Sequence, residues 1–112
     1  FNVLREESLK LSDLFIKMVG QMCPDLHVET PLNSFERGSQ VSFSHPSGYA
    51  IMQALIDRDI VGDFRAPNII RFGITPLYIS REDIVQTVKV LEEILSNRLW
   101  DHPTYLNRKK VT

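Results

Sequence analysis

The 112-residue sequence is poor in the features that mark a chemistry on their own. Its one cysteine, Cys23, excludes an internal disulfide framework and a cysteine-based zinc site. Gly38, Gly48, Gly62 and Gly73 are scattered, and neither GxGxxG nor GxxxxGK(S/T) occurs, so no phosphate-cradle motif is present. No apolar run approaches the roughly 18–20 residues of a membrane span. An excess of one charge is missing too. Thirteen Lys and Arg against fourteen Asp and Glu give a net charge of -1, which argues against nucleic-acid binding through bulk charge. The chain opens Phe1-Asn2-Val3-Leu4, with neither an initiator Met nor a signal-peptide layout, and is expected to be a segment of something longer. What remains is a globular composition, 43% hydrophobic and 24% charged, enough for one domain or a piece of one in an intracellular, cytoplasmic setting.

Helical periodicity is plain at both ends. Leu4, Leu11, Phe15, Met18 and Met22, widened by Leu14 and Val19, predict a helix from about Asn2 to Met22 that Gly20 and Pro24 bring to a close. Ser80 with Asp83 three residues later signals the start of a last helix, whose face is Ile84, Val88, Leu91 and Leu95 with Val85 and Ile94 in support. Asp101, His102 and Pro103 are expected to close it. Between the two, Leu26 to Thr30 reads as a short edge strand, and the alternation in Gln40–Ser44 reads as a half-buried one. Pro46 suits the first position of a short helix carrying Tyr49, Met52, Leu55 and Ile56. Ile60–Arg65 and Ile69–Ile74, joined by Ala66-Pro67-Asn68, predict a hairpin. The expected architecture is α+β: a small antiparallel sheet of three or four strands with helices on one face.

Few residues invite a chemical role. His27, His45 and His102 form no ligand-spaced pair, and a metal site is not expected. Cys23 has no base in a local motif and reads as a small buried hydrophobe. Arg108-Lys109-Lys110 reads as a solvated tail. Gly73, inside a strand pattern, marks either a bulge or a close approach. Arg71 is the informative residue. It stands between Ile70 and Phe72, and a guanidinium in a partly buried strand needs a partner, because an isolated buried charge is costly. Its planar fork matches a carboxylate through two parallel hydrogen bonds. That carboxylate can be internal, from Asp63 or Asp59, or it can belong to a ligand, with Gly73 leaving room for approach.

Several blocks together resemble the C-terminal part of the kynureninase family. They are Arg37-Gly38-Ser39-Gln40-Val41-Ser42-Phe43, His45-Pro46-Ser47-Gly48-Tyr49-Ala50, Gly62-Asp63-Phe64-Arg65-Ala66-Pro67 and Arg71-Phe72-Gly73-Ile74-Thr75-Pro76-Leu77-Tyr78. The opening Leu4 to Phe15 is similar to the helix that enters that family's small domain, and Trp100 to Thr112 resembles its C-terminus. Ser47 stands where an acidic residue is expected and Ile74 where an aromatic is, departures that touch helix charge and packing.

The resemblance implies the C-terminal small domain of a pyridoxal-phosphate enzyme of the aspartate-aminotransferase fold (fold type I). Residues 1–23 would be the leading helix and 24–112 the α+β body and tail, with the large domain absent. It implies hydrolysis of kynurenine or 3-hydroxykynurenine to an anthranilate and L-alanine by a homodimer, and a substrate-binding role for Arg71 on the α-carboxylate. The Schiff-base lysine and the other pyridoxal-phosphate residues would lie upstream, since Lys10, Lys17, Lys89, Lys109 and Lys110 match no such motif. The chain alone is then expected to bind no cofactor and to catalyse nothing. The alternative is a free-standing α+β interaction module; a pyridoxal-phosphate domain encoded upstream of Phe1 decides for the enzyme.

Overall fold

A computed structural model of the chain describes residues 2–29, 40–74 and 79–106, with side chains from residue 6 onward. Arg37–Ser39, Thr75–Tyr78 and the Arg108–Lys110 tail lie outside the described residues. The element order is α1 (Asn2–Met22), β1 (His27–Val28), β2 (Gln40–Ser44), α2 (Gly48–Asp57), β3 (Asp63–Arg65), β4 (Ile69–Gly73), α3 (Arg81–Ser96) and α4 (Pro103–Leu106). The strands form one antiparallel sheet in the order β1-β2-β4-β3. The fold is therefore the α+β arrangement expected, with four strands among the described residues.

Alternation decides which face of the sheet is covered. Val41 and Phe43 on β2, and Ile70 and Phe72 on β4, are buried, whereas Gln40, Ser42 and Ser44, and Ile69, Arg71 and Gly73, point the other way. Helices α1 and α2 pack on the buried side, and α3 packs against both of them. Phe15 of α1 is the bolt. Its ring stands edge-on to Phe43 at 5.5 Å and to Phe72 at 5.1 Å, and those two rings meet each other at 6.2 Å. Each large side chain removed from water here contributes about 1.5–3 kcal/mol.

The deepest line of α1 is Ser12, Phe15 and Val19, continued by Cys23 just past the helix end and turned slightly from the Leu11–Phe15–Met18–Met22 stripe, whose outer members are half-buried. Small Ser12 lets the helix lie close, and its hydroxyl donates to the Leu9 carbonyl at 3.0 Å. Ser8 Oγ donates to the Ile74 carbonyl at 3.2 Å and ties α1 to the end of β4. In α2 the buried residues are Gly48, Ala50, Ile51, Met52, Ala54 and Leu55, so Ile56, expected on the packed face, is instead 48% exposed. Pro46 is not the first helical residue: Ser47 is the N-cap, and the turn is closed by the Ser47 amide donating to His45 Nδ1 at 2.9 Å.

Helix α3 stops earlier than the sequence suggests, whereas α2 ends at Asp57 with Arg58 as its C-cap, where the sequence closes it, and both close by the same device. After α2, Asp59 adopts φ 64°, its amide donates to Ile56 and the Ile60 amide donates to Leu55. After α3, Arg98 adopts φ 50° and the Leu99 amide returns to Ile94, so the helix ends at Ser96 instead of near Asp101. This is the paired 5→2 and 6→1 closure that usually has glycine at its left-handed position. It takes Ile60 out of the sheet, which is why β3 begins only at Asp63. The start of α3 is as expected: Ser80 Oγ accepts from the Asp83 amide and Asp83 accepts from the Ser80 amide.

Candidate functional site

The open sheet face gathers the polar residues of three strands. The ladder sets Ser42 of β2 opposite Arg71 of β4, and Asp63 of β3 opposite Arg71 from the other side. Side chains of directly opposed residues share a face, so Arg71 is flanked by a hydroxyl and a carboxylate. Of the two acids considered for it, the register selects Asp63; Asp59 is used in the α2 cap. Arg71 Nε donates to Asp63 Oδ1 at 2.8 Å and Arg71 Nη2 donates to Oδ2 at 2.8 Å. This fork holds the Asp63 carboxyl below its usual range and pushes the Arg71 guanidinium up, each because the hydrogen bond favours the charged form. The Arg71 side chain keeps 23% of its surface exposed and that of Asp63 54%, so the pair faces outward.

Two glycines shape the surroundings. A Cβ on Gly62 would sit 2.7 Å from the Arg71 carbonyl oxygen and 3.0 Å from Met52 Cε, so the chain entering β3 runs too close to β4 for any side chain. The sequence left Gly62 among scattered glycines; its place inside the predicted Ile60–Arg65 strand was the available signal, since a glycine there marks a close backbone approach. Gly73 makes no bulge. It pairs regularly with Gln40, and a Cβ there would meet nothing within 4 Å among the described residues. Two positions along the strand from Arg71, it leaves open space on the guanidinium's own face.

The remaining candidates stay apart. Among the described residues no three His, Cys, Asp or Glu side chains converge as a metal site. His27 is exposed on the edge strand, 3.8 Å from Glu29, which accepts from Ser44 Oγ at 2.8 Å. His45 and His102 do the same structural work before Pro46 and Pro103: each accepts through Nδ1 from the amide two residues on, at 2.9 and 3.1 Å. The His45 ring also packs on Trp100, and burial pushes its pKa down. The Cys23 thiol is buried and its pKa is pushed up to about 11, chiefly by burial, which makes it a poor nucleophile. A groove of about 360 Å³ between the end of β4 and the start of α3, lined by Phe15, Ile60, Phe72, Ile84 and Thr87 among others, does not include Arg71.

A pyridoxal-phosphate site needs a lysine for the Schiff base, a carboxylate for the pyridine nitrogen and a cradle of donors for the phosphate, gathered in one pocket. Lys10, Lys17 and Lys89 are exposed on helix surfaces, Lys10 beside Glu7 at 3.6 Å, and none meets that need. The described residues therefore do not fit the cofactor by themselves.

Residues 4–91 match the family model described as the kynureninase C-terminal domain. The chain belongs to the kynureninase family. It is 48% identical over 111 residues to the kynureninase of Pseudomonas fluorescens, a match that covers 97% of the chain. It is 43% identical over 113 residues, 99% of the chain, to the kynureninases of Burkholderia mallei (strain SAVP1) and Burkholderia pseudomallei (strain K96243). The chain spans about 27% of the length of these kynureninases. Asp63, Arg71, Gly62 and Gly73 all lie inside the segment that the kynureninase model matches. Among the described residues no helix is long and apolar enough to cross a membrane.

Proposed function

We propose that the chain is one domain, the C-terminal small domain of a cytoplasmic, homodimeric, pyridoxal-phosphate-dependent kynureninase, and that Arg71 binds the substrate's α-carboxylate. The parent would hydrolyse kynurenine or 3-hydroxykynurenine to anthranilate or 3-hydroxyanthranilate and L-alanine. Pyridoxal phosphate, held by the larger remainder of the protein, supplies the electron sink for that cleavage. The chain by itself would be inactive. Ile56 and Val61, 48% and 88% exposed, supply apolar surface for packing against that remainder.

One observation carries the reading: the Arg71 guanidinium stands on the sheet face opposite the helices, partly exposed, and among the described residues nothing lies within 4 Å of where a Cβ on Gly73 would sit. Arginine is suited to this task because its fork takes both oxygens of a carboxylate at once, which a lysine cannot. In the full-length enzyme, Arg71→Lys keeps the charge and loses the fork, so kcat/KM for kynurenine should fall roughly ten- to a few hundredfold. Unchanged kinetics with a large loss of thermal stability would instead make the Asp63–Arg71 fork a purely structural ion pair.

A further inference from the structure

Arg71 does not hold its own orientation, and the residue that does so is on the neighbouring strand. We propose that Asp63 is a positioning residue for carboxylate recognition: it fixes the guanidinium so that its second edge is presented to the ligand. This rests on the reading of Arg71 as the carboxylate-binding group.

The geometry is specific. Asp63 takes one hydrogen of Nε and one of Nη2, both at 2.8 Å. Two bonds to a planar group set its plane as well as its place, where one bond would leave it free to turn. A guanidinium carries five N–H donors, and the edge made by Nη1 and the second Nη2 hydrogen is not used by Asp63. Asp63 is itself seated by backbone. The ladder sets it opposite Arg71, and Gly62 lets the preceding chain close to a distance at which a Cβ would lie 2.7 Å from the Arg71 carbonyl oxygen. On the other side, Gly73 adds no side chain to the face beside the guanidinium, and among the described residues nothing lies within 4 Å of where its Cβ would be.

Two effects of Asp63 oppose each other. Its negative charge weakens the pull of Arg71 on an incoming anion, while its fork removes the rotamer freedom that a long side chain would otherwise lose on binding. The carboxylate is 54% exposed, so water and salt screen the first effect. The second is not screened, and arginine has much rotamer freedom to lose. Orientation therefore outweighs repulsion, and removing Asp63 weakens carboxylate binding.

The test uses the full-length enzyme loaded with pyridoxal phosphate, in four forms besides the parent: Asp63→Ala, Asp63→Asn, Asp63→Glu and Arg71→Lys. Two ligands are compared: kynurenine, and the same molecule without its α-carboxylate as a competitive inhibitor. Asp63→Ala should raise KM for kynurenine about 5- to 30-fold, with a smaller change in kcat, and leave the inhibition constant of the decarboxylated ligand unchanged. Asp63→Asn, which keeps the side chain's size and one acceptor, should show the same selective loss at lower amplitude even if the alanine variant folds poorly. Asp63→Glu should recover part of it. An unchanged or lowered KM in the alanine and asparagine variants overturns the proposal, because Asp63 is then a mask or a bystander. Equal weakening of both ligands, with a fallen thermal midpoint, overturns it in favour of a structural role. If Arg71→Lys separates the two ligands and the Asp63 variants do not, this proposal fails alone; if Arg71→Lys does not separate them, the reading of Arg71 fails and takes this proposal with it.

Discussion

Replacing Phe15 with alanine probes the join between the leading helix and the sheet. The ring is 1% exposed and meets two others edge-on, Phe43 at 5.5 Å and Phe72 at 5.1 Å, both at an interplanar angle of 73°. Deleting a buried phenyl group costs the lost transfer free energy plus the cavity left behind, about 3–5 kcal/mol. Each edge-to-face pair accounts for about 0.5–1.5 kcal/mol of that beyond burial. A domain of this size has about 5–15 kcal/mol in all, so the variant should lie near the edge of folding. Phe15→Leu fills most of the space and loses only the ring geometry, and should cost about 1–2 kcal/mol. The assay is urea unfolding of the chain, reading the midpoint at constant slope, with a double-mutant cycle between positions 15 and 72 to isolate the ring pair. A loss below about 1 kcal/mol for the alanine variant, or no coupling in the cycle, refutes the claim that this ring joins α1 to the sheet.

Two further substitutions test local devices. His45 accepts from the Ser47 amide only when Nδ1 is unprotonated, and burial lowers its pKa while Asp25 opposes the shift. The unfolded chain then binds more protons, so the His45 contribution is fully present above the ordinary histidine pKa near 6.5 and is lost as pH falls toward the lowered folded value. The slope does not exceed about 1.4 kcal/mol per pH unit for one proton. His45→Asn, which keeps an acceptor without titrating, should flatten this part of the stability–pH curve; an unchanged curve contradicts the assignment. Asp59→Gly should stabilise the domain by about 0.5–1 kcal/mol, because φ 64° is easy for glycine and strained for a residue with a Cβ, while Asp59→Val should destabilise it. A thermal melt that ranks the three forms otherwise removes the argument about the α2 cap.

The extent to which the fold could be read from the chain follows the range of the forces involved. Helices α1 and α3 and the alternation of β2 are local patterns, and the Ser80–Asp83 cap lies within four residues, so all were visible. The β3–β4 hairpin was visible through Ala66-Pro67-Asn68. The order β1-β2-β4-β3 was not, since β2 pairs with β4 across α2 and no local signal encodes that. The end of α3 was misjudged because Arg98 takes a conformation that sequence reading expects of glycine. At the site, Arg71 stood out by its apolar neighbours, but choosing Asp63 over Asp59 as its partner required the strand register. The use of His45 and His102 as turn acceptors depends on ring orientation, which spacing does not show.

The most direct measurement is a crystal structure of the full-length enzyme with an unreactive, carboxylate-bearing analogue of kynurenine. The account predicts the analogue's carboxylate on the Nη1–Nη2 edge of Arg71 at about 2.7–2.9 Å, with Asp63 still forked on the opposite edge. A carboxylate held by other residues, with Arg71 engaged by Asp63 alone, would contradict it.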